Sequence, residues 1–395
     1  MPATLTTVNT ITKEIYQGKI RNQLNEEAIG WKRIERTSEG TTSEVGGKYV
    51  TFPIRVRRNQ GIGARNELEL LPNAGQQGWA SVRVGLKYEY GRVRLSGQVM
   101  ELANENYQAF ASAMDLEMTG LKNDLAKDTN RQFYGTNLGT MATAAGAQAA
   151  NVVTVSSVKS LEIGMQVDVK VGQTSADRAA DRQITAINET TKAVTLNGGA
   201  FTATAGDIIV RQGNYNREIT GLAAQVTATG ALFNLDPAVE PSWAATVDSN
   251  GGVLRPLSEG LMITMTDKVR VKGGRTSLIL GGLGVRRAYF NLLSQQRRYP
   301  STTNFEGGFT GLAFNNGREI PMVDDPDAPD NTMYFLDEDK FKIYQAGDWS
   351  WMNRDGSIWK VVDGYDAYEA ILFKYFELGN MQRNAHAVLT DLTEG

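Results

Sequence analysis

Residues 48–96 constrain the fold most strongly, because they predict two long strands that cannot bury both faces against each other. A middle segment rich in glycine and amide side chains separates the runs YVTFPIRVR and WASVRVGLKYEYGRVRLS. In the second run Val82, Val84 and Leu86 alternate with arginine, glycine and lysine, as in a strand with one buried face. A two-stranded ribbon alone is only marginally stable in water. We therefore predict a long hairpin that lies on another surface.

The predicted hairpin is strongly basic, whereas the chain is not. It holds nine basic and three acidic residues, although the whole chain has a net charge of -3. Residues 324–339 form an acidic run that contains no basic residue. Opposite charges orient subunits, although each exposed pair contributes only about 0 to 1 kcal/mol. We predict intersubunit contacts at Arg55, Arg57, Arg58, Arg65, Arg83, Arg92, Arg94, Asp324, Asp325, Asp327 and Asp330.

Composition excludes several kinds of site. The chain has no cysteine and one histidine, which excludes disulfides, iron–sulfur clusters, thiolate zinc sites and a histidine pair for a metal. The near-neutral charge argues against nucleic-acid binding through bulk charge. The start lacks a basic cluster followed by an apolar run, so we expect synthesis in the cytoplasm. The uncharged stretch 132–158 is too weakly apolar for a membrane span.

Two helices are predicted in the N-terminal third. Residues 8–29 carry Ile11, Ile15, Ile20 and Leu24 on a narrow apolar stripe, which suits an arm that lies on a partner and ends at Gly30. Residues 98–134 form the best helix of the sequence, and Gly135 ends it. The apolar face of this second helix contains Leu102, Phe110, Met114, Leu121, Leu125 and Phe133.

Residues 136–215 predict a separate small β-domain. The segment has as many acidic as basic residues, and glycine or asparagine punctuates its short apolar runs. This pattern is typical of a small barrel or sandwich. The predicted strands are NVVTV, MQVDVKV, RQITAIN, KAVTL and DIIVR.

The remainder of the chain mixes helices and strands. An amphipathic helix runs from Leu257 to Val269 and is closed by Gly273, and TSLILGGLGVRRAYFNLLSQQ predicts a strand, a turn and a helix. The tail after Thr332 is mainly β. It contains a hairpin that turns at Asp355–Gly356, followed by the strands AILFKYFELG and AHAVLTDL.

No motif in the sequence predicts a catalytic, cofactor or metal site. The GGLG run at 281–284 lacks the full dinucleotide-binding spacing, so we interpret it as a turn that packs a helix on a sheet. The acidic run contains prolines and lacks the glycine of a calcium loop. His386 is interpreted as structural or surface-exposed, and Trp349, Trp351 and Trp359 as packing residues.

Four stretches carry a resemblance to a known family. They are the helix ending RQFYGTNLG, the later NREITGL, the helix RRAYFNLLSQQRRY and the tail YFELGNMQRNAHAVLTDL. With the order of the parts, they resemble the major capsid protein of tailed bacteriophages, which has the Hong Kong 97-type fold. The resemblance covers most of the chain apart from 136–215.

The resemblance implies an α+β shell subunit without catalytic residues, cofactor or metal. Its parts would be an N-terminal arm (1–47), an extended β-hairpin loop (48–96), a peripheral domain with a long spine helix (97–135 and 330–395), an inserted β-barrel-like domain (136–215) and an axial domain (216–329).

The resemblance also implies partners. The subunit would assemble with itself into hexamers and pentamers of an icosahedral shell around double-stranded DNA, which it would hold without sequence-specific binding. A scaffolding protein, a portal protein and a decoration protein are further expected partners. Because the Met-Pro start leaves no long segment for cleavage, we expect the scaffolding protein to be separate. The founding member crosslinks a loop lysine, but residues 59–78 contain none, so we expect non-covalent locking.

Two other functions are weighed against this one. An encapsulin-like bacterial compartment shell would share the fold and would enclose protein cargo instead of DNA. An enzyme that uses the GGLG turn or the acidic residues would form a small soluble oligomer that a ligand stabilises. Nothing in the sequence favours the enzyme.

Overall fold

The computed structural model describes residues 29–37, 49–98, 107–146, 148–295, 302–304, 310–315, 319–353 and 356–395. The helix predicted over 8–29 lies outside the described residues except at its last position. Gly30 does not end a helix, because it lies inside the short helix α1 (Ile29–Arg33).

The N-terminal part combines four strands with a long helix. The elements are α1, β1 (Arg36–Thr37), β2 (Tyr49–Arg57), β3 (Gly78–Gly85), β4 (Lys87–Ser96) and α2 (Tyr107–Tyr134). The 28 residues of α2 form a rod about 42 Å long. The helix ends before Gly135, as predicted. Gly91 of β4 lets α2 approach closely, because a Cβ there would lie 2.5 Å from Cδ1 of Leu125.

The next part is a β-barrel. Its strands are β5 (Thr140–Thr143), β6 (Gln148–Ala150), β7 (Val152–Thr154), β8 (Gln166–Lys170), β9 (Asp177–Asn188), β10 (Ala193–Leu196), β11 (Phe201–Ala203) and β12 (Ile208–Arg211).

Six of these strands form one sheet in the order β5-β12-β8-β9-β10-β7, and β6 pairs with β11. The bridge between Ala144 and Val155 joins the two edges of the sheet, and the amide of Ser156 donates to the carbonyl of Thr143 at 2.8 Å. The sheet is therefore closed, and the strands predicted in this segment are confirmed.

The C-terminal part contains the remaining elements. They are α3 (Leu222–Gln225), β13 (Thr246–Asp248), α4 (Glu259–Val271), β14 (Leu278–Gly281), α5 (Leu283–Gln295), β15 (Thr302–Asn304), β16 (Thr310–Asn315), β17 (Glu319–Asp324), β18 (Met333–Leu336), β19 (Phe341–Gln345), β20 (Ser350–Trp351), β21 (Lys360–Val361), β22 (Ala367–Asn380) and β23 (Ala387–Leu389). The predicted helix α4 is confirmed: the Ser258 side chain caps it by accepting from the amide of Leu261, and Gly273 follows at φ +86°.

A seven-stranded sheet, in the order β13-β23-β18-β14-β17-β16-β15, separates two hydrophobic cores. Ile279 of β14 packs in a core with Met262 of α4, whereas the neighbouring Leu280 packs in a core with Phe133 of α2. Alternate residues thus face opposite cores. The sequence predicted a domain boundary at residue 330. Strands β18 and β23 follow that residue but lie in the same sheet as the earlier strands β13 to β17, so the boundary does not separate two sheets.

A second sheet of six strands is organised around β22. Strand β4 pairs along one edge of β22, and β19, β20 and β21 pair along the other, where β1 joins β19 in parallel. Residues 87–96 were predicted as an arm of the hairpin and instead belong to this sheet. Alternation along a strand shows which residues share a face, but it does not identify the partner strand.

The hairpin predicted to turn at Asp355–Gly356 is wrong. Strands β20 and β21 both pair with β22 rather than with each other. The chain reverses between residues 362 and 367, where Gly364 has φ +75° and the amide of Val362 donates to the carbonyl of Ala367 at 2.9 Å. The sequence offers a second Asp-Gly pair at 363–364, and that pair makes the turn.

We predict that Gly282→Ala destabilises the purified subunit by about 1–3 kcal/mol, the usual cost of overpacking. A Cβ at Gly282 would lie 2.6 Å from the Pro329 carbonyl oxygen and 2.8 Å from Cα of Asp330, and backbone cannot move as a flexible side chain can. Thermal and denaturant unfolding measure the effect. The matched control is Gly260→Ala, where a Cβ meets no described atom within 4 Å. Because Gly260 is the second residue of α4, this change should alter the stability by less than about 0.5 kcal/mol. An unchanged melting temperature for Gly282→Ala would contradict the prediction.

Candidate assembly surfaces

The base of the hairpin has a hydrophobic core within its own subunit. Strands β2 and β3 pair from Tyr49–Gly85 to Arg57–Gly78. Their buried residues Val50, Val82 and Val84 pack with Leu232 and Trp243, which belong to the segment before β13. The sequence suggested that the whole hairpin needs another surface, but its base already lies on this segment.

Beyond the base, residues 58–77 contain no strand and present apolar side chains to solvent. We call residues 62–71 the apex. Ile62, Leu68, Leu70 and Leu71 are 81%, 101%, 90% and 80% exposed. Within the apex, Nε of Arg65 donates to the Leu70 carbonyl at 2.8 Å, so the loop has a defined shape.

Leu68 at the apex has a strained backbone. Its φ of +63° lies in the left-handed region, which is unfavourable for a residue with a branched side chain. The turn around it is closed by Glu69, whose carboxylate accepts from the backbone and side-chain amides of Asn66 at 2.9 and 3.0 Å. A strained and fully exposed leucine is a feature to expect at a contact surface rather than in free solution.

The seven predicted arginines fall into different environments. Arg55, Arg58 and Arg83 on the hairpin are exposed and form no ion pair with the described residues. Arg57 pairs with Glu240 at 2.6 Å and fixes the hairpin to its own subunit.

The remaining arginines have partners within the subunit. Arg92 and Arg94 lie on β4 in the body of the subunit, and both contact Glu369 of β22 at 3.5 Å. Arg65 bonds to backbone carbonyls of the apex. The predicted intersubunit role of these seven residues stays a prediction.

The predicted acidic residues are held by cations of the same subunit. The exception is Asp325, which is completely buried. Its carboxylate accepts from the amide of Gly30 at 2.8 Å and from the side-chain amide of Asn130 at 3.0 and 3.1 Å. Asp325 therefore joins α1 to α2 and is not part of an exposed surface. The other pairs are Asp324–Arg286 at 3.2 Å, Asp327–Lys127 at 3.0 Å and Asp330–Lys159.

A cleft of about 800 Å³ lies where β4, α2 and the segment after the barrel meet. We call this cavity the cleft. Apolar side chains form much of its wall, including Leu121 and Leu125 of α2 and Leu86, which lies between β3 and β4. Polar residues of the wall include Glu89, Asp124, Asp128, Arg211, Arg217 and Glu218.

Carboxylates at the base of the cleft differ in their protonation. Burial, together with the nearby Asp128 and Glu218, raises the pKa of Glu89 to about 8. Burial alone would also raise the pKa of Asp128, but the guanidinium groups of Arg131 and Arg211 lower it to about 2. Arg131 also pairs with Glu218 at 2.6 Å. Glu89 therefore remains protonated at neutral pH, whereas Asp128 is ionised.

The other candidates from the sequence have structural roles. Gly282 and Gly284 in the GGLG run lie against the backbone of residues 328–330, so the run packs α5 closely, as predicted. His386 is fully buried and stacks on Phe341 at 4.1 Å, and burial lowers its pKa to about 3. Trp349 packs edge-on against Phe376.

The described residues include neither a candidate metal cluster nor a membrane-spanning helix. No group of three or more histidine or carboxylate side chains among them could hold a metal ion. Within the same residues, no helix has both the length and the apolar character needed to cross a bilayer.

The fold aligns over nearly its whole length with chains of solved phage capsids, which places it in the Hong Kong 97-type fold class. A chain of the cyanophage A-1(L) capsid aligns with a TM-score of 0.63 at 14% identity, covering 99% of this chain and 100% of that chain. A capsid chain of a native GTA particle gives 0.51 at 9% identity, with 97% and 96% covered. A chain of Mycobacterium phage Bobi gives 0.50 at 9% identity, with both chains covered completely at 100%.

The sequence matches the model of the SU10 major capsid protein family over residues 93–393. The chain belongs to this family and is a major capsid protein of tailed phages. The predicted identity and fold class are confirmed. The encapsulin-like alternative is not favoured, because the matching family is a phage capsid family. None of the curated proteins compared with the chain matches it.

Sequence reasoning missed the cleft and the apolar apex. Glu89, Asp128 and Glu218 are far apart in sequence, and only the folded chain brings them together. The apex had a signal, because NELELLPNAG places three leucines in a loop rich in glycine and asparagine. An apolar loop of this kind indicates a contact surface.

We predict that the free energy of unfolding of the wild-type protein falls between about pH 5 and pH 8, and that Glu89→Gln reduces this fall. The folded pKa of Glu89 is about 8, above its ordinary value of 4.5, so the folded protein retains a proton that the unfolded chain releases. The free energy of unfolding therefore falls as pH rises through this window, by up to about 1.4 kcal/mol per pH unit. Melting temperatures at several pH values measure the slope. Glu117→Gln, at an exposed position of α2, is the control and should keep the wild-type slope. An identical slope for Glu89→Gln and wild type would refute the assignment.

Proposed function

We propose that this capsid protein assembles into hexamers and pentamers of an icosahedral shell that encloses double-stranded DNA. The observation that carries the proposal is the exposed apex, whose four apolar side chains protrude from a hairpin that is otherwise fixed to its own subunit. Isolated subunits would expose this surface to water, whereas a shell buries it. Apolar burial contributes about 25 cal/mol per Å² and drives most protein association.

The predicted charged contacts would act during assembly. Arg55, Arg58 and Arg83 are available on the hairpin, and Asp324, Asp327 and Asp330 could exchange their present partners for arginines of a neighbour. Such exposed pairs orient subunits and contribute little to stability. The locking is non-covalent, since residues 59–78 contain no lysine.

The subunit would act with three further proteins in the virion. A separate scaffolding protein guides assembly, a portal protein is a further partner of the shell, and a decoration protein is a candidate ligand of the barrel. DNA is held without sequence-specific contacts, which the net charge of -3 supports because the shell has no basic surplus. The subunit is made in the cytoplasm of the bacterial host, acts in the virion shell and has no enzymatic activity.

Negative-stain electron microscopy tests the proposal on protein expressed alone and together with a scaffolding protein from the same phage. Closed particles or capsomers are expected. Nuclease treatment followed by extraction should yield protected double-stranded DNA from particles made during infection. A stable monomer or dimer under both expression conditions would refute shell assembly, and particles that contain enzyme cargo instead of DNA would support a compartment.

We predict that Arg58→Glu reduces the yield of particles about tenfold, because charge reversal on the hairpin disturbs the orientation of neighbouring subunits. Arg270→Glu is the matched control, because it changes the net charge equally at another exposed arginine without an ion pair among the described residues. Sedimentation quantifies the assembled fraction. The melting temperature of the free subunit should be unchanged in Arg58→Glu and slightly lower in Arg270→Glu, because Arg270 lies in the last turn of α4, where a negative charge is unfavourable. Equal loss of particles in the two variants would show that net charge, not the hairpin, matters.

A further inference from the structure

We propose that a proton on Glu89 holds β4 against α2, and that the cleft between them widens when this proton is lost. The inference concerns the single subunit and does not depend on shell assembly. It is carried by the hydrogen bonds around Glu89, by the charges that surround it, and by the single-sided attachment of β4 beside the cleft.

The hydrogen bonds around Glu89 require a proton on its carboxyl group. The hydroxyl of Thr129 donates its single proton to the carbonyl of Leu125 at 2.7 Å. The same hydroxyl oxygen lies 3.3 Å from Oε2 of Glu89, so this second contact needs a proton from Glu89. Nε2 of Gln132 donates its two protons to Oε1 of Glu89 at 3.1 Å and to Asp128 at 2.9 Å. A neutral Glu89 therefore satisfies both of its partners, because it donates to Thr129 and accepts from Gln132.

Charged groups of both signs surround Glu89 on every element packed against it. The acidic groups are Asp124 and Asp128 of α2, Glu218 after the barrel and Glu377 of β22. The basic groups are Lys87 of β4, Arg131 of α2, Arg211 and Arg217 at the exit from the barrel, and Lys374 of β22.

The nearest cations are already bound to other carboxylates. Arg131 pairs with two of them, at 3.0 and 2.6 Å. Lys374, which lies opposite Glu89 in the strand pairing, is bound to Asp348 at 2.9 Å. Glu89 itself has no ion pair within the part of the chain that the structure describes. Its ionised form would therefore lack a compensating positive charge, in agreement with its raised pKa of about 8.

Loss of the proton would make the closed contact unfavourable. An ionised Glu89 would place a second negative charge beside Asp128 and would no longer donate to Thr129. Water relieves both costs, because it hydrates the carboxylate and screens the repulsion. We therefore expect water to enter between β4 and α2 once Glu89 is ionised.

Strand β4 is the element that can move. Among the described strands it pairs only with β22, so no strand holds its other edge. Its first half lines the cleft, and Gly91 in its middle gives the backbone freedom to bend there. The end of α2 is fixed more firmly, for example through the buried hydrogen bond from Asn130 to Asp325. The cleft therefore widens by displacement of the first half of β4.

The distance between two spin labels measures the width of the cleft at different pH. Because the chain has no cysteine, Y88C/K122C places one label on β4 and one on α2, both at exposed positions. Dilution with unlabelled full-length protein restricts the measurement to distances within one subunit. Between about pH 6 and about pH 9 we expect the distance to increase by about 3 Å, the width of one water layer, with a midpoint near pH 8. An unchanged distance over this range would overturn the proposal.

Glu89→Gln is the matched control in the labelled protein. Its side-chain amide donates to Thr129 and accepts from Gln132 as the neutral carboxyl does, but it does not ionise. The short distance should therefore persist at both pH values. Glu377→Gln removes another buried carboxyl with a raised pKa, about 7, and should leave the response intact. A response that persists in Glu89→Gln, or that disappears only in Glu377→Gln, would assign the effect to another group and overturn the role of Glu89.

Thr129→Val tests the direction of the hydrogen bond. If Glu89 donates to Thr129, loss of the hydroxyl destabilises the neutral carboxyl and lowers the midpoint by about 0.5 to 1 pH unit. If the hydroxyl instead donates to an ionised Glu89, the midpoint rises, and this result would contradict the assignment on which the proposal rests. The melting temperature at about pH 6 confirms that the variant is folded. Should Thr129→Val not fold, the comparison between Glu89→Gln and the wild-type residue still decides the proposal.

Discussion

The buried C-terminal turn of α2 holds the subunit together. Residues 129–134 are all buried, and their polar side chains bond to segments that are distant in sequence. Asn130 donates to Asp325 of the acidic run, and Arg131 pairs with Glu218 after the barrel. Each of these buried groups is costly if left unpaired, so the end of the helix fixes the positions of all its partners at once. The two sheets, the barrel and the N-terminal helix are arranged around this turn.

Local signals in the sequence were sufficient for single elements. Gly135 ends α2 as predicted, and the apolar runs between glycines and asparagines gave the barrel strands, because turn residues and alternation act within a few positions. The partner of a strand depends on contacts between distant residues. Residues 87–96 alternate equally well in a hairpin or beside β22, and the choice between the two Asp-Gly turns depended on which strands meet in space.

The assembly surfaces show the same limit. The sequence indicated that the hairpin is basic and projecting, and the structure places Arg55, Arg58 and Arg83 on its exposed surface. The distribution of charge along the sequence did not show that acidic side chains such as that of Asp325 are buried within the subunit. Nor could it show the cleft, whose walls come from three segments. A surface that forms only when distant segments meet has no local pattern from which it could be found.

The two connections between the barrel and the rest of the chain lie side by side. Its first strand pairs with its last, with Thr140 opposite Val210, so the chain enters and leaves through neighbouring positions. The barrel also closes on itself through the bridge between Ala144 and Val155. The chain can therefore accommodate this domain between two neighbouring points of the subunit, since closing so short a gap costs little loop entropy. A domain attached in this way can change in size without moving the two points of the subunit body to which it is connected.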